Sequence, residues 1–178
     1  MSIKSKLTLK EMAIIAILLA CSIILSRFFS ISTPITKISF SFVPLIISGR
    51  YFGTKGAMIV AGLGDLIGAL LFPFGVYFPG YTLSEILRGY ILGKSFRKIN
   101  LSRIVIAIIL TQIVCSLALN SLSMTIFYEN FRAFSLEKFI SFIVMRTPQV
   151  AVMIVAQIAV SIPLLIKGEK IFTKIIKN

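Results

Sequence analysis

The sequence predicts an all-α integral membrane protein with six transmembrane helices in a single domain, 1–178. Hydrophobic residues make up 57% of the 178 positions, the mean hydropathy is +0.99, and charged residues make up only 14%. Soluble domains carry about 25% charged residues, so this chain has too few charges to cover a globular surface of its size. In addition, apolar segments recur along the whole chain, and the basic residues between them follow an orderly distribution.

Each apolar segment predicts one helix. The approximate bounds are 9–29, 40–53, 56–72, 82–96, 102–127 and 137–166. A bilayer core about 30 Å thick requires about 20 helical residues, so the first, fifth and sixth segments are long enough to span it. The second and fourth segments are short. A short helix is still compatible with a membrane position when it is tilted or buried by its neighbours.

The connections between the segments also carry signals. The second and third segments meet in a tight turn, Tyr51–Gly56, where Gly53 is a plausible helix C-cap. The third and fourth segments are joined by loop 73–81, which contains Phe, Tyr, Gly and Pro but no charged residue. The sequence shows no internal repeat and no linker, which favours one domain.

Lysine and arginine predict the orientation. Thirteen of the 19 basic residues flank the N-terminus, the turn between segments two and three, the turn between segments four and five, and the C-terminal tail. The opposite ends carry only Arg27, Lys37, Arg132 and Lys138. Because basic residues accumulate on the cytoplasmic side, we expect both termini in the cytoplasm and loop 73–81 outside the cell.

Several function classes are disfavoured by composition. The formal charge of +13 could indicate a nucleic-acid partner, but the bases are scattered at helix ends rather than gathered on one face. Cys21 and Cys115 lie in mid-helix, where cysteine behaves as a small apolar residue, and there is no histidine. We therefore expect no metal site and no cofactor. The stretch Gly89–Ser95 imitates a phosphate-binding loop but has three residues between its glycines where four are needed. Any ATP must therefore be used by a partner.

One carboxylate lies inside the third apolar segment. An ionisable group at membrane depth is energetically expensive, so Asp65 more often serves a site than decorates a surface. It is either a structural carboxylate, neutralised by a proton or an internal base, or a ligand contact that accepts two parallel N–H bonds from an amino-pyrimidine edge. Beside it, the aromatic side chains of Phe74, Tyr77 and Phe78 are candidates for the lid or wall of a pocket for a flat ligand.

Three arginines extend this candidate site. Arg88 lies three residues after Glu85 on the fourth helix, so either a structural ion pair or a site role for Arg88 is open. Arg27 ends the first helix, where a snorkelling interfacial anchor is the alternative. Arg146 lies just before Pro148, which can loosen the helix and free backbone groups. A ligand contact or an internal pair is favoured for Arg146.

Three amides occupy apolar surroundings. Asn120 lies near the end of the fifth segment, and Gln149 and Gln157 lie in the sixth; each needs a partner across helices or a ligand. Together with the charged residues and the aromatic loop, they would suit a flat heteroaromatic ligand with an anionic tail. Aromatic rings would stack on the ligand, Asp or Asn would contact its edge, and Arg would neutralise its carboxylates.

Small residues at helical spacing indicate close helix contacts. Ala16-x-x-x-Ala20 is such a face, and it is open to two interpretations, packing within the chain or docking of another membrane subunit. Gly64-x-x-x-Gly68 and Gly89-x-x-x-Gly93 have the same spacing. For both glycine pairs we expect packing within the chain.

These residues resemble those of the substrate-binding S components of energy-coupling factor (ECF) vitamin transporters, most closely the folate-specific type. The resemblance covers essentially the whole chain, and it is most specific in Leu25–Phe28, Ile38–Pro44, Asp65–Thr82 and Arg146–Gln149. The face Ala16-x-x-x-Ala20 is similar to the motif by which the first helix of S components meets the coupling subunit. Many S-component pockets for other vitamins use tryptophan, whereas this chain has none. Stacking must therefore fall to Phe and Tyr.

The resemblance implies a function. It implies folate capture at the outer membrane face, association with a transmembrane coupling subunit and two ATPase subunits, and transport by toppling of the S component in the bilayer. By the same analogy, the contact candidates are Arg27, Asp65, Phe74, Tyr77, Phe78, Arg88, Asn120, Arg146 and Gln149. The chain itself is then not an enzyme, and it lies in the plasma membrane.

Three alternatives remain open at the level of sequence. The first is an S component for another vitamin. A stand-alone secondary transporter is the second, although inverted repeats would be expected there and none is found. The third is a small intramembrane enzyme, which would need a base or nucleophile with an orienting partner. The chain has no histidine, its serines lack a nearby base motif, and Glu85 is the only other candidate membrane carboxylate beside Asp65.

Overall fold

The structure is a computed structural model that describes residues 8–32, 37–73, 77–97, 100–128 and 135–177. Within these ranges the chain forms six helices, and the all-α membrane fold is confirmed. Their bounds are Leu9–Arg27 (α1), Phe42–Tyr51 (α2), Gly53–Leu71 (α3), Pro79–Ser95 (α4), Leu101 to Tyr128 (α5) and Leu136–Lys177 (α6). Four described helices are long and apolar enough to cross a membrane, namely Leu9–Arg27, Gly53–Leu71, Leu101–Phe127 and Leu136–Ile166.

Helix α5 changes its winding along its length. It begins as the α-helix Leu101–Thr111, continues as the π-helix Gln112–Leu119, and ends as the α-helix Asn120–Tyr128. A π-helical segment is rare and often occurs where a side chain must be redirected for function. Here it carries Cys115 and Ser116, both buried against the rest of the bundle.

Several observed helix ends differ from the predicted ones. Helix α2 is shorter at both ends, Phe42–Tyr51 rather than 40–53, and α3 begins at Gly53 rather than at 56. Helix α1 ends at Arg27 rather than at 29, and the following residues form an antiparallel hairpin of β1 (Ser30–Ser32) and β2 (Lys37–Ser39), where the sequence predicted a loop. Helix α4 begins at Pro79 rather than at 82, because proline is well suited to the first turn of a helix. Helix α6 continues to Lys177 rather than ending at 166. Helical spacing of apolar residues persists through its basic tail, but the prediction followed only the uninterrupted apolar stretch.

The short helix α2 lies inside the bundle rather than across the bilayer. Its ten residues span about 15 Å, half the thickness of a bilayer core. Phe42, Leu45 and Ile46 are buried in a cluster shared with α3, α4, α5 and α6. Neighbouring helices therefore cover a segment that is too short to span the membrane, as the sequence required. Gly53, the first residue of α3, has a φ of +66°, a left-handed conformation that favours glycine; only Phe52 separates α2 from α3.

Helix α4 is held at very short range by glycines. A Cβ added at Gly89 would lie 2.7 Å from the backbone oxygen of Ala57, and one at Gly93 would lie 2.7 Å from the Cα of Thr54. A Cβ at Gly49 would meet the Cα of Gly93 at 3.2 Å. Gly89 and Gly93 thus let the backbone of α4 touch that of α3, and at Gly93 also that of α2. The expectation of packing within the chain is correct for this pair.

Gly64 and Gly68 on α3 also lie in a helix contact within the chain, but the contact is less close than that at Gly89 and Gly93. A Cβ at Gly64 would meet only the Ser22 hydroxyl, at an ordinary 3.4 Å, and one at Gly68 would meet the Nε of Arg27 at 2.9 Å. This face of α3 therefore packs against α1. A second buried cluster, Ile15, Leu18 and Val60, joins the same two helices.

We predict that Gly89→Ala destabilises the bundle, because its Cβ would overlap backbone atoms that cannot rotate away. Overpacking of this kind costs about 1–3 kcal/mol. The matched control is Gly64→Ala, whose Cβ meets only ordinary contacts and which gains about 1 kcal/mol of helix propensity. In detergent, the thermal unfolding midpoint should fall for Gly89→Ala and stay or rise for Gly64→Ala. Equal midpoints for the two variants would contradict the proposed close contact of α3 and α4.

Candidate functional site

The predicted site residues gather in one half of the bundle, where α1, α3 and α5 end and α4 and α6 begin. Arg88 lies nine residues into α4, and Arg146 lies ten residues into α6. At 1.5 Å per residue, both lie roughly 14–15 Å from the start of their helices, and Asp65 lies about 9 Å from the end of α3. Asp65, Arg88 and Arg146 therefore lie about 9–15 Å from the helix ends at this end of the bundle, and Arg27 lies at the end of α1 itself; we call this half of the protein the site half.

Asp65 is linked to α4 by a chain of hydroxyl groups. The Thr82 hydroxyl donates a hydrogen bond to Oδ2 of Asp65 at 2.8 Å, and the hydroxyls of Thr82 and Tyr77 lie 3.0 Å apart. Because the single hydroxyl proton of Thr82 is committed to the carboxylate, Tyr77 must donate to Thr82. The phenol oxygen of Tyr77 then keeps its acceptor capacity, and the second oxygen of Asp65 is not used by Thr82.

Arg27 connects the C-terminal end of α1 to the C-terminal end of α3. Its Nη1 donates to the backbone oxygen of Phe72 at 3.1 Å, and its Nε lies over Gly68. The half-buried guanidinium also feels the attraction of the Asp65 carboxylate. Arg27 is therefore tied to the site half of α3 and is more than an interfacial anchor.

Arg88 has two polar partners. Its Nη1 lies 2.7 Å from Oε1 and 3.0 Å from Oε2 of Glu85, which forms an ion pair within α4. Its Nη2 donates to the hydroxyl of Ser116 at 2.6 Å, on the π-helical segment of α5. The ion pair of Glu85 and Arg88 that the sequence left open is therefore present in the structure. It does not exclude a site role, because the two side chains retain 15% and 22% exposure.

Arg146 differs from the other two arginines. It is only 8% exposed, and within the described part of the chain no carboxylate forms an ion pair with it, whereas Arg88 pairs with Glu85 and Arg27 feels the attraction of Asp65. The guanidinium of Arg88 is close enough to repel it. A buried charge without a counterion costs several kcal/mol, so the arrangement favours an anion as the missing partner.

Asn120 is oriented by a neighbouring helix. The buried hydroxyl of Ser84, on α4, shares its proton between two acceptors, Oδ1 of Asn120 at 2.5 Å and the backbone oxygen of Tyr81 at 2.8 Å. The amide oxygen of Asn120 is thereby engaged, so its NH₂ group supplies its hydrogen-bonding capacity towards other groups. Gln149 is half-buried one turn after Arg146, and Gln157 is buried further along α6.

Aromatic side chains lie where α4 begins. The ring of Phe78 meets that of Tyr81 edge-on, with centroids 6.0 Å apart, and it lies 6.4 Å from the ring of Phe127 at the end of α5. Tyr77 and Phe78 are half-buried. Phe74, also predicted for the site, lies outside the described residues. The structure thus links Asp65 with Tyr77 through Thr82. It also holds Arg27 at the end of α3 and places Arg88 near Arg146.

The face Ala16-x-x-x-Ala20 points away from the bundle. Ala16 and Ala20 are exposed, and Ile17 between them is 62% exposed, whereas the buried side of α1 carries Ile15, Leu18, Ser22 and Ile23. Packing within the described chain therefore does not use this face, and of the two interpretations the structure removes that one.

Three site residues were missed by sequence reasoning. Thr82, Ser84 and Ser116 each hydrogen-bond a predicted residue, namely Asp65, Asn120 and Arg88. A signal was available for two of them, since Ser84 and Thr82 lie within four residues of Glu85 in an apolar helix. Ser116 had no such signal because its direction depends on the π-helical segment.

Comparison with known proteins supports one family. The family described as "ECF transporter, substrate-specific component" matches residues 10–166. The folate transporter FolT of Clostridium novyi is 36% identical over 113 residues, which cover 62% of this chain and 66% of that protein, just under two thirds of its length. The folate transporter FolT of Leuconostoc mesenteroides is 26% identical over 159 residues, covering 88% of this chain and 84% of that protein.

A solved structure has the same fold. The crystal structure of FolT bound with folic acid superposes with a TM-score of 0.79 at 29% identity, and the match covers 90% of this chain and 95% of that one. The agreement in fold extends over nearly the whole length of both chains.

We predict that Thr82→Val destabilises the protein by about 1–3 kcal/mol, because Asp65 loses a charged hydrogen bond and Tyr77 loses its acceptor. The matched control is Thr147→Val, which removes an exposed hydroxyl that bonds only the backbone oxygen of Ile143 in its own helix. Thermal unfolding in detergent should separate the two variants. If both variants unfold at the same temperature, the hydrogen bonds that join Asp65, Thr82 and Tyr77 do not contribute to the free energy of unfolding.

Proposed function

Because the chain belongs to the family of substrate-specific components of ECF transporters, we propose that it binds folate and delivers it for ATP-driven uptake by partner subunits. The family is one of transporters and not of enzymes. The chain is a multi-pass protein of the plasma membrane. The proposal of folate as the ligand is supported by the names of the two relatives and by the fold shared with FolT bound with folic acid.

The single observation that carries the ligand proposal is the buried guanidinium of Arg146. At 8% exposure, and with no carboxylate paired to it among the described residues, it is poised to bind an anion. A carboxylate binds guanidinium through two parallel charge-assisted hydrogen bonds. Folate carries carboxylates at one end, so we place that end near Arg146 and Arg88.

The other end of folate is a flat, amino-substituted heteroaromatic ring. Asp65 is suited to contact such an edge, because Thr82 uses only one of its two oxygens. Asn120 presents its NH₂ group, since Ser84 engages its oxygen. Tyr77 and Phe78 supply aromatic surface at the start of α4, and Arg27 and Gln149 complete the proposed contact set. We propose that this half of the bundle faces outside, with the termini in the cytoplasm, as the distribution of basic residues predicts.

We predict that Arg146→Gln and Asp65→Asn each weaken folate binding at least tenfold, about 1.4 kcal/mol at room temperature. The first removes the unpaired charge, and the second removes the carboxylate that would accept N–H bonds. Calorimetric titration of the purified protein in detergent measures both dissociation constants. Arg103→Gln is the matched control, because Arg103 is an exposed arginine near the start of α5, in the opposite half of the bundle.

The outcomes separate the ligand from its placement. If the wild-type protein binds folate and both variants bind it equally well, the placement of the ligand is wrong while the function stands. Tight binding of riboflavin, thiamin or biotin in place of folate would keep the family and overturn the ligand.

We further propose that the exposed face of α1 docks the transmembrane coupling subunit, which works with two ATPase subunits. Alanine at 16 and 20 leaves room for the backbone of another helix to approach, and exposed Ile17 adds apolar surface beside them. Small residues are the common means by which helices associate in lipid, where burial of apolar surface brings no gain. A partner helix at this position would explain why small residues occupy a face of α1 against which no described helix of the chain packs.

We predict that Ala16→Leu with Ala20→Leu abolishes co-purification of the chain with the coupling and ATPase subunits, while folate binding stays within twofold. The physical reason is that two larger side chains hold the facing helix away. Ala151→Leu is the control, because Ala151 is an exposed alanine on α6. Retained assembly in the double variant would exclude this face as the docking surface.

A further inference from the structure

Glu85 is the one carboxylate near the proposed anion-binding end whose purpose the ligand does not explain. It contacts Arg88 through both oxygens, at 2.7 and 3.0 Å from the same Nη1. A ligand carboxylate would seek this same guanidinium face. In the structure as it stands, Arg88 is therefore already occupied by an anion that belongs to the protein.

Positive charges outnumber negative charges around Glu85. Two guanidinium groups, Arg88 and Arg146, are close enough to repel each other, and Glu85 pairs with only one of them. One further negative charge can be accepted at Arg146 without displacing anything. A second one would have to share the charge of Arg88 with Glu85, which already forms an ion pair with it, so its gain in affinity is smaller unless Glu85 is displaced.

Arg88 does not depend on Glu85 for its position. Its Nη2 is held by the hydroxyl of Ser116 at 2.6 Å, and Ser116 is fixed by the π-helical segment of α5. Removing the charge of Glu85 should therefore leave the guanidinium in place and open its Nη1. Both side chains retain partial exposure, 15% for Arg88 and 22% for Glu85, so a ligand group can reach them.

Building on the proposed function, we propose that Glu85 sets the charge selectivity of the ligand site. Glu85 competes with the ligand for Arg88. The first carboxylate of the ligand therefore increases the binding affinity, and a second carboxylate increases it little further. Glu85 is then a specificity-determining residue that acts through Arg88, and it need not touch the ligand itself.

The test compares two ligands that share the same ring system. Folate carries two carboxylates on its glutamate tail, whereas pteroate lacks the glutamate and carries one. We expect Glu85→Gln to raise the ratio of folate affinity to pteroate affinity at least fivefold over that of the wild type, measured by calorimetric titration in detergent. Glu137→Gln is the matched control, because it removes the same charge from an exposed position at the start of α6 and should leave the ratio unchanged.

A second variant tests whether Glu85 acts on the ligand through Arg88. Adding Arg88→Gln to Glu85→Gln should abolish the gain in the ratio, because the guanidinium for which both anions compete is gone. A purely structural salt bridge would lower the unfolding temperature and weaken both ligands equally, leaving the ratio at its wild-type value. That result overturns the proposal, as does a gain in the ratio that survives the loss of Arg88.

The remaining outcomes are also decisive. If the wild type binds neither ligand, the proposed function fails, and the role of Glu85 fails with it. If the wild type binds folate and the ratio is unchanged in Glu85→Gln, only the role of Glu85 fails. Should Glu85→Gln not fold, Glu85→Asp draws the carboxylate back from Arg88, and we expect a smaller increase of the ratio; no increase contradicts the proposal.

Discussion

The cost of burying a charge in an apolar bundle is the constraint on which this structure depends. Inside a membrane protein, no bulk water is available to solvate a guanidinium or a carboxylate, so each must find a partner within reach. Asp65 receives a hydrogen bond from Thr82, and Arg88 is shared between Glu85 and Ser116. Arg146 is the exception, since it is 8% exposed and no carboxylate in the described part of the chain forms an ion pair with it. A protein can retain such a residue when a ligand completes it.

The packing of the helices is what makes these pairings possible. Gly89 and Gly93 bring the backbone of α4 into contact with that of α3, and at Gly93 also with that of α2. The stripe of α4 formed by Tyr81, Glu85 and Arg88, spaced by four and three residues, is thereby held at a fixed rotation. That rotation directs Arg88 to Ser116 on α5, while the neighbouring Thr82 reaches Asp65 on α3. A looser contact at the glycines would let α4 turn, and both partners would be lost together.

Hydropathy and charge were enough to predict the fold class, but not the pairings. A carboxylate and two arginines inside apolar segments are visible in the sequence alone, which is why Asp65, Arg88 and Arg146 could be selected as candidates. Which partner each one meets depends on the rotation of its helix. For Ser116 it depends on the π-helical segment Gln112–Leu119, for which the sequence has no periodic signal. The three-residue strands β1 and β2 are too short to show alternation, so a loop was predicted there.

Two pairs of small residues show why spacing alone does not determine a helix contact. Gly64 and Gly68 on α3 and Ala16 and Ala20 on α1 have the same spacing, yet the first pair is buried and the second is exposed. What differs is the residues around them. Ile15, Leu18 and Ser22 form a buried stripe on a different side of α1, and this stripe determines which side of the helix turns inward. As α1 also ends in Arg27, which donates to the backbone at the end of α3, the same helix carries part of the proposed ligand site and the proposed docking face. In the proposed function, capture of the ligand and contact with the coupling subunit therefore act on one rigid element.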